Sequence, residues 1–270
     1  MKPLVLTLRG EPEQRLDLSP LLPQRLKGLT PAAVEAIPLQ TTRQPITVGD
    51  AFRLRPGDVE TIRIVGGSER LDRVGEGLDS GAIEVEGDVG QRAGRGLSGG
   101  RLTIHGDAGP CAGSGMSGGM IEIRGAAGPF LAGPLPGEMA GMRGGTIIVR
   151  GDAGERAADR LRRGTIVIEG RAGAYAGSRM IAGTLILCGP AGALPGYLMK
   201  RGTIILGRDC EALAPTFVDS GIHDLVALRL LARSVAALSS RAEATLRRPL
   251  QRLAGDTSVL GKGELFCRSR

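Results

Sequence analysis

Between Gly81 and Leu206 the chain repeats one short apolar pattern seven times: Gly81-AIEVEG, Gly100-RLTIHG, Gly119-MIEIRG, Gly145-TIIVRG, Gly164-TIVIEG, Gly183-TLILCG and Gly202-TIILG. The starting glycines are 19, 19, 26, 19, 19 and 19 residues apart, and the long step contains an insertion around Leu131–Met139. Self-similarity at a fixed spacing of this size is typical of solenoids. We therefore predict that each repeat forms one coil stacked on the last.

Each repeat is predicted to contain a short β-strand whose alternate residues line up along the stack, because side chains two apart share a face. The two inner columns are Ile83, Leu102, Ile121, Ile147, Ile166, Leu185, Ile204 and Val85, Ile104, Ile123, Val149, Ile168, Leu187, Leu206. An earlier segment, Glu60-TIRIVG, fits less closely and brings the count to about eight coils. The predicted fold is all-β: a single-stranded parallel β-helix with a 19-residue period, followed by a C-terminal α-helix.

Glycines close most of the predicted strands, where the chain must turn sharply. We expect positive φ at these structural turns, because glycine enters that region without steric cost; they are Gly87, Gly106, Gly125, Gly151, Gly170 and Gly189. The clusters Gly94-x-Gly96 and Gly113-x-Gly115 resemble part of a dinucleotide-binding fingerprint. They recur in successive repeats rather than opening one helix after one strand, so we interpret them as turns.

The residue between the two inner columns changes character halfway along the stack. It is polar in the first three repeats (Glu84, Thr103, Glu122) and aliphatic in the last four (Ile148, Val167, Ile186, Ile205). An exposed aliphatic stripe would favour aggregation, so something should cover it. The candidates are a partner protein and the chain's own segment His223–Ser239, whose apolar residues fall at helical spacing.

The repeats divide the chain into three predicted regions. Residues 1–58 form a β-rich capping segment, residues 59–207 the stacked repeats, and residues 208–270 a C-terminal amphipathic helix and tail. We expect the polar tail Gly255–Arg270 to become ordered only against a partner.

Local patterns predict three elements within the capping segment. Alternation indicates strands at Leu4–Leu8 and Ile46–Leu54. Thr30, placed before a proline, indicates the start of a short helix over Pro31–Ala36.

Composition excludes several classes of protein. No apolar stretch of signal-peptide type opens the chain and no run of about 18 apolar residues occurs, so we expect a cytoplasmic protein with no membrane contact. The four cysteines lack CxxC spacing, which favours buried reduced thiols. With His105 and His223 as the only histidines, the sequence predicts no metal site and no catalytic residue on this chain.

The net charge of +7 raises the question of an anionic partner. Arg124 and Arg150 occupy equivalent positions on adjoining repeats, so we predict that they lie side by side and contact an anion. A solvated or subunit-facing surface, partly neutralised by Glu86 and Glu169 in the same column, is the alternative. Nucleic acid is not expected, because only 2% of the residues are aromatic and stacking platforms are nearly absent.

Three further motifs point to a family. They are the turn Gly113-x-Gly115-Met116, the entry segment Val48-Gly49-Asp50-Ala51-Phe52, and the tail Gly255-Asp256…Gly261-Lys262-Gly263-Glu264. With the repeats, they resemble the C subunit of formylmethanofuran dehydrogenase over nearly the whole chain. The arginine- and alanine-rich composition is most similar to the bacterial counterpart, the C subunit of the formyltransferase/hydrolase complex.

The resemblance implies a scaffold subunit with no catalytic residue and no cofactor of its own. Such complexes contain formyltransferase, amidohydrolase-like and dehydrogenase-like subunits. They move a formyl group between tetrahydromethanopterin and a methanofuran-type carrier, and the hydrolase form releases formate. Because the carrier has a glutamate-rich tail, the resemblance also suggests a ligand for Arg124 and Arg150.

Other functions remain open at this point. A tungsten or molybdenum formylmethanofuran dehydrogenase would use a similar C subunit, and the C-terminal domain of the glutamate synthase large subunit has similar repeats. A hexapeptide acyltransferase would need coils of about 18 residues made of three hexads, and the 19-residue spacing without an internal hexad argues against that class. A pectin-lyase-like enzyme would need an export signal and a catalytic cluster, and the sequence shows neither.

Overall fold

The computed structural model describes residues 2–41 and 43–268. The strands are β1 (Pro3–Leu8), β2 (Leu16–Asp17), β3 (Pro38–Thr41), β4 (Ile46–Thr47), β5 (Phe52–Arg55), β6 (Asp58–Val65), β7 (Leu71–Asp72), β8 (Ala82–Glu86), β9 (Arg101–Ile104), β10 (Met120–Ile123), β11 (Arg143–Val149), β12 (Arg163–Ile168), β13 (Thr184–Leu187), β14 (Arg201–Leu206), β15 (Val218–Ile222), β16 (Leu250–Gly255) and β17 (Lys262–Arg268). The helices are α1 (Pro23–Leu26), α2 (Pro31–Glu35), α3 (Val48–Ala51), α4 (Val226–Ala236) and α5 (Ser240–Leu246). Strands dominate, which confirms the predicted all-β class. Within these residues, no helix has the length and apolar character needed to cross a bilayer.

Thirteen strands form one large sheet, in the order β15-β16-β17-β14-β13-β12-β11-β10-β9-β8-β6-β1-β5. Along this order, the strands from β17 to β1 pair parallel with their neighbours. The antiparallel pairs lie at the two ends, where β5 pairs with β1, β16 with β17, and β15 with β16. The register is kept along the inner column, where Ile83, Leu102, Ile121 and Ile147 are successive Cα partners. The 26-residue step therefore inserts its extra residues without shifting the strands. The pairing of β11 with β12 has one irregularity, between Arg143 and Thr146. A smaller four-stranded sheet, β4-β3-β2-β7, lies at the amino-terminal end of the chain.

Neighbouring repeats also pair at a second place, between strands. Single parallel bridges join Val89, Ala108, Ala127, Ala153, Ala172, Ala191 and Cys210 in turn. These alanines and the two inner columns belong to one apolar cluster and are at most 5% exposed. Each buried aliphatic side chain contributes about 1.5–3 kcal/mol. No single repeat could bury this surface alone, so the repeats stabilise one another.

The glycines that close the strands are needed for a different reason from the predicted one. Of Gly87, Gly106, Gly125, Gly151, Gly170 and Gly189, only Gly87 has a positive φ, of 126°. A Cβ on Gly170 would lie 2.5 Å from the carbonyl carbon of Gly151, and one on Gly189 would lie 2.1 Å from the carbonyl oxygen of Gly170. The expectation of positive φ is thus confirmed at Gly87 and wrong at the five other glycines of this column. Successive turns pack backbone against backbone at this column, which leaves no room for a side chain.

The helices α4 and α5 lie over the aliphatic half of the outward column. Ile148, Val167, Ile186 and Ile205 are 0% exposed and share a second apolar cluster with residues of both helices. The residues that α4 contributes are Leu228, Ala232 and Val235, at the spacing of one helix face. The helix predicted over His223–Ser239 is present as the shorter α4, Val226–Ala236. The sequence pattern does not predict α5, which begins after it, where the Ser239 hydroxyl accepts a hydrogen bond from the Ala242 N–H (3.1 Å).

The amino-terminal segment joins the large sheet through β1, which pairs parallel with β6. Thr30 caps α2, its hydroxyl accepting from the Ala33 N–H at 3.2 Å. The strand predicted over Ile46–Leu54 is wrong in its middle, where α3 forms. There Thr47 and Asp50 make a capping box, in which the Thr47 N–H donates to Asp50 Oδ2 at 2.9 Å. This local bonding overrides the alternating pattern.

Contacts within the chain order the C-terminal tail as far as Arg268. For these residues the expectation that the tail needs a partner is wrong. Ser269 and Arg270 lie outside the described residues. β16 and β17 form an antiparallel pair, and β17 continues the parallel pairing beyond β14. Leu265 and Phe266 are 0% and 1% exposed. The tail therefore covers the last repeat and extends both apolar clusters.

Candidate functional site

Charged side chains line the outward face of the large sheet along the polar half and across its boundary with the aliphatic half. Equivalent register positions at or just after the ends of β8 to β12 carry Glu86, His105, Arg124, Arg150 and Glu169. The neighbouring column adds Glu84 and Glu122. We call these seven residues the charged row. Constant register brings them together, because each repeat places the same position one strand further along.

Arg150 lies at the centre of the charged row and binds two carboxylates. Its Nη2 donates to Glu122 Oε1 at 2.9 Å, and its Nη1 donates to Glu169 Oε1 at 2.6 Å. Arg101 approaches from the other side, its Nη2 donating to Glu122 Oε2 at 2.7 Å. Both glutamates are 8% exposed. A buried carboxylate needs such partners, since removing its charge from water is otherwise costly.

The environment of Glu122 lowers its pKa. Burial alone would raise the pKa of this carboxyl group, but hydrogen bonds and charge from Arg150 and Arg101 outweigh burial and hold the pKa below its ordinary value. Glu122 is therefore ionised at neutral pH and serves as a fixed acceptor.

The same guanidinium group connects the sheet to the C-terminal helices. Arg150 Nη2 also donates to the carbonyl oxygen of Leu238 at 2.9 Å. The Ser239 hydroxyl donates to Glu169 Oε1 at 2.6 Å while it caps α5. Arg150 and Glu169 thus hold the junction between α4 and α5 against the strands, at the point where the outward face turns aliphatic.

Arg124 has a different set of contacts. It is exposed, and its Nη1 lies 3.2 Å from His105 Nδ1. His105 Nε2 lies 2.7 Å from Glu84 Oε1. Because a guanidinium can only donate, Nδ1 must accept, and this arrangement requires the neutral His105 tautomer with its proton on Nε2. Within the residues that the structure describes, this is the one hydrogen bond of the Arg124 side chain, so its other N–H groups can meet a ligand from solvent.

The predicted anion contact at Arg124 and Arg150 stays a prediction. The two residues follow Cα-paired positions on β10 and β11, so their strands place them side by side. Their roles differ, because Arg150 is satisfied by Glu122, Glu169 and Leu238 whereas Arg124 is exposed. An anion at this position would therefore find more free donors on Arg124.

Metal-binding groups are not assembled in the part of the chain that the structure describes. Among those residues, no group of three or more His, Cys, Asp or Glu side chains could hold a metal ion. Burial raises the pKa of the Cys188 thiol to about 11, despite a hydrogen bond with Thr245. Burial also raises the pKa of Cys111. Neither thiol is a reactive thiolate at neutral pH.

Comparison with known proteins gives matches over nearly the whole chain. A family model described as the GXGXG motif matches residues 68–222. The C subunit of the formyltransferase/hydrolase complex Fhc of Methylorubrum extorquens is 51% identical over 279 residues, covering 97% of this chain and 98% of that protein. The chain belongs to the family of Fhc C subunits. The X-ray structure of the complex FhcABCD from M. extorquens, with methylofuran, contains a chain that superposes with a TM-score of 0.92 at 46% identity, covering 98% of this chain and 100% of that one.

Membership of the family of Fhc C subunits confirms the resemblance that the sequence motifs indicated. The entry motif Val48–Phe52 forms α3 and the first residue of β5. The tail motif ends β16, and its lysine and glutamate lie on β17. The motifs thus mark the two ends of the stack, where this family differs from a run of repeats alone.

Sequence reasoning missed one buried polar site between repeats. Asp159 is 1% exposed; it accepts hydrogen bonds from the Ser178 hydroxyl at 2.7 Å and from Arg179 Nε at 2.9 Å. Asp159 and Ser178 are 19 residues apart, which is one repeat, and this spacing could have revealed the pair. The contact joins two successive turns and leaves no free carboxylate oxygen for chemistry.

Proposed function

We propose that this protein is the C subunit, a non-catalytic scaffold, of a formyltransferase/hydrolase complex. The complex would move a formyl group between tetrahydromethanopterin and a methanofuran-type carrier and release formate. The observation that carries the proposal is the whole-length likeness to the Fhc C subunit, at 51% identity over 97% of this chain. A match that spans both ends of the chain supports the role of the whole protein rather than that of a shared repeat.

The arrangement of polar side chains supports a scaffold role. Glu122, Glu169 and Asp159 are each bound by arginine or hydroxyl groups of the chain itself. The thiol of Cys188 has a raised pKa. These groups stabilise contacts between repeats and helices, which is what a rigid support for other subunits requires.

The relative supports a proposal for the carrier and the partners. Because the matching crystal structure is of FhcABCD with methylofuran, we propose that this chain assembles with formyltransferase, amidohydrolase-like and dehydrogenase-like subunits that use such a carrier. Tetrahydromethanopterin would be bound by those subunits, without a cofactor on this chain. The cytoplasmic location expected from the sequence belongs to the same proposal.

We also propose that the repeats wind as a single-stranded parallel β-helix of about eight coils. Constant register in the large sheet and a second line of bridges one repeat apart both support this winding. In this proposal residues 59–207 are the coils, residues 1–58 cap one end, and residues 208–270 cap the other.

Native affinity purification of the tagged protein from its source cells, with an untagged strain as control, tests the function. We expect mass spectrometry to find formyltransferase and amidohydrolase-like subunits in fixed ratio, and metal analysis to find neither tungsten nor molybdenum. A pterin-bound tungsten or molybdenum would instead indicate the dehydrogenase. Glutamine amidotransferase partners, or a monomer without partners, would contradict the proposal.

A second experiment tests the non-catalytic role. In the purified complex, His105→Asn and Cys188→Ala are expected to leave the formyl-transfer and hydrolysis rates within about twofold, since neither group would touch a reacting atom. The ratio of the subunits, measured on the same samples, controls for assembly. A fall of about a hundredfold in an intact complex would assign chemistry to this chain.

A further inference from the structure

Basic residues occupy the first position of four strands in the aliphatic half of the large sheet. Arg143, Arg163, Arg201 and Lys262 are the first residues of β11, β12, β14 and β17, and all four are exposed. Arg143 and Arg163 are Cα partners, as are Arg201 and Lys262. With strands about 4.8 Å apart, these four residues, the basic row, span about 19 Å across five strands, of which β13 begins with Thr184 and contributes no basic residue.

The basic row is not neutralised by the chain. Among the described residues, Arg163, Arg201 and Lys262 have no ion pair or side-chain hydrogen bond. Arg143 has only a longer-range attraction to Glu138. In the polar half Arg101, the first residue of β9, is in register with Thr165 rather than with Arg163, and it binds Glu122 on the next strand. From β11 onward the outward column is aliphatic, so no carboxylate from that column can reach the basic row.

An apolar groove lies beside the basic row. It has a volume of about 420 Å³ and runs between α4 and the strands; its lining includes Thr184, Thr203, Leu228, Leu230, Leu231 and Phe266. One carboxylate, Glu264, also lines it and is neutralised by Arg252, whose Nε donates to Glu264 Oε1 at 2.9 Å. Thr203 is two residues after Arg201 and therefore shares its face of the sheet. Leu230 is 58% exposed, and Val226, one turn earlier on α4, is 59% exposed. On one side of the groove lie β14 and β17, which begin with the unneutralised cations Arg201 and Lys262; on the other side lies the exposed Leu230 of α4.

We propose that the basic row and this groove bind a segment of another subunit that carries both carboxylates and apolar side chains. The proposal rests on the proposed function, because it identifies the surface through which the scaffold holds a partner. Arginine forks match carboxylate geometry, and partner side chains beside Leu230 would remove exposed apolar area from water. The basic row has no aromatic side chain on which nucleic-acid bases could stack.

Charge reversal with a matched control tests the surface. The variant Arg163→Glu/Arg201→Glu/Lys262→Glu is compared with Arg53→Glu/Arg55→Glu/Lys2→Glu, which changes two exposed arginines and one exposed lysine at the opposite end of the sheet. We expect the first variant to lower the recovery of one co-purifying subunit by about tenfold or more and the control to leave it unchanged. Circular dichroism checks folding, and the neutral variant Arg163→Gln/Arg201→Gln/Lys262→Gln is expected to show a smaller loss.

The groove is tested separately with Leu230→Ser and, as control, Leu29→Ser, since Leu29 is 44% exposed on the amino-terminal segment. Only Leu230→Ser should weaken recovery of the same subunit. If the wild type retains its partners and both surface variants retain them equally, this inference is wrong while the proposed function survives. If the wild type has no partners, the proposed function itself fails.

Carbodiimide cross-linking of the purified complex identifies the occupant, because it joins a lysine amine to a carboxylate. With Arg163→Lys and Arg201→Lys added to Lys262, we expect cross-links to aspartates or glutamates in one segment of a partner that also contains apolar residues. Cross-links only at Lys2 would contradict the inference. Nucleic acid in the complex whose digestion releases the partner would also contradict it.

Discussion

The two halves of the outward face of the large sheet have the same strand arrangement, but one half has polar side chains and the other has aliphatic side chains. In the polar half, Glu84 and Glu122 are bound by histidine and arginine side chains at the surface. In the aliphatic half, Ile148 and Val167 are fully buried beneath α4 and α5. The inner columns do not change between the halves. The inner residues therefore determine the stack, whereas the outward column determines what the stack binds.

The largest effect is expected from placing a polar group in the aliphatic half. Val167→Asn should reduce the free energy of unfolding by about 3–5 kcal/mol, because it removes a buried aliphatic side chain and buries an amide without a partner. Thr103→Asn, at the equivalent position of β9, should cost less than about 1 kcal/mol. Urea unfolding measures both. Equal losses would show that the two halves do not differ in the assumed way.

Arg150 lies on the boundary between the halves, and its removal should have the next largest effect. Arg150→Met leaves Glu122 and Glu169 with fewer partners, so we expect a loss of about 2–3 kcal/mol. Arg124→Met, on the adjoining repeat, should change stability by less than about 0.5 kcal/mol because that side chain is exposed. Thermal unfolding at pH 7 distinguishes them. A harmless Arg150→Met would mean that the junction with α4 and α5 is held by apolar contacts alone.

The glycine column offers a test of what the halves share. Gly106→Ala in the polar half and Gly170→Ala in the aliphatic half should each cost about 1–3 kcal/mol, since a Cβ would collide with the backbone of the preceding repeat. Gly10→Ala is the control, because nothing lies within 4 Å of its Cβ position. Chemical denaturation of the three variants gives the comparison. A large difference between Gly106→Ala and Gly170→Ala would contradict a common backbone stack.

The smallest effect concerns pH and belongs to the polar half. Because the pKa of Glu122 is lower in the folded protein, its contribution is complete above the unfolded value of about 4.3 and is lost as pH falls through the folded pKa. Glu122→Gln should therefore lose less stability than the wild type between pH 6 and pH 3. Melting temperatures across that range measure the difference. Parallel curves would show that Glu122 does not contribute to acid denaturation.

The repeats were predictable from sequence because strand alternation and a fixed spacing act together. Ile147 follows a 26-residue step, yet it still pairs with Ile121, since the apolar pattern resumes in the same phase. The change from Glu122 to Ile148 could also be read directly, because one column carries it.

Other features depended on contacts that no local pattern carries. α3 forms because Asp50 bonds back to Thr47, and β17 forms because Leu265 and Phe266 reach clusters built by distant repeats. The different roles of Arg124 and Arg150 depend on Leu238 and Ser239, almost 90 residues later in the chain than Arg150. Spacing alone predicts that two arginines are neighbours and leaves their partners undetermined.

The antiparallel strands at both ends of the large sheet limit how far this architecture can grow. A run of parallel strands could in principle continue from one molecule into the next, because each open edge is a template for another strand. Here β5 and β15 form the outermost edges, and both run against their neighbours. On β15, the Asp219 side chain accepts from the Gly221 N–H and His223 bonds to the Ser220 carbonyl oxygen. These local bonds use backbone groups that an added strand would need, so this outermost strand is a poor template for continuing the parallel stack into a second molecule.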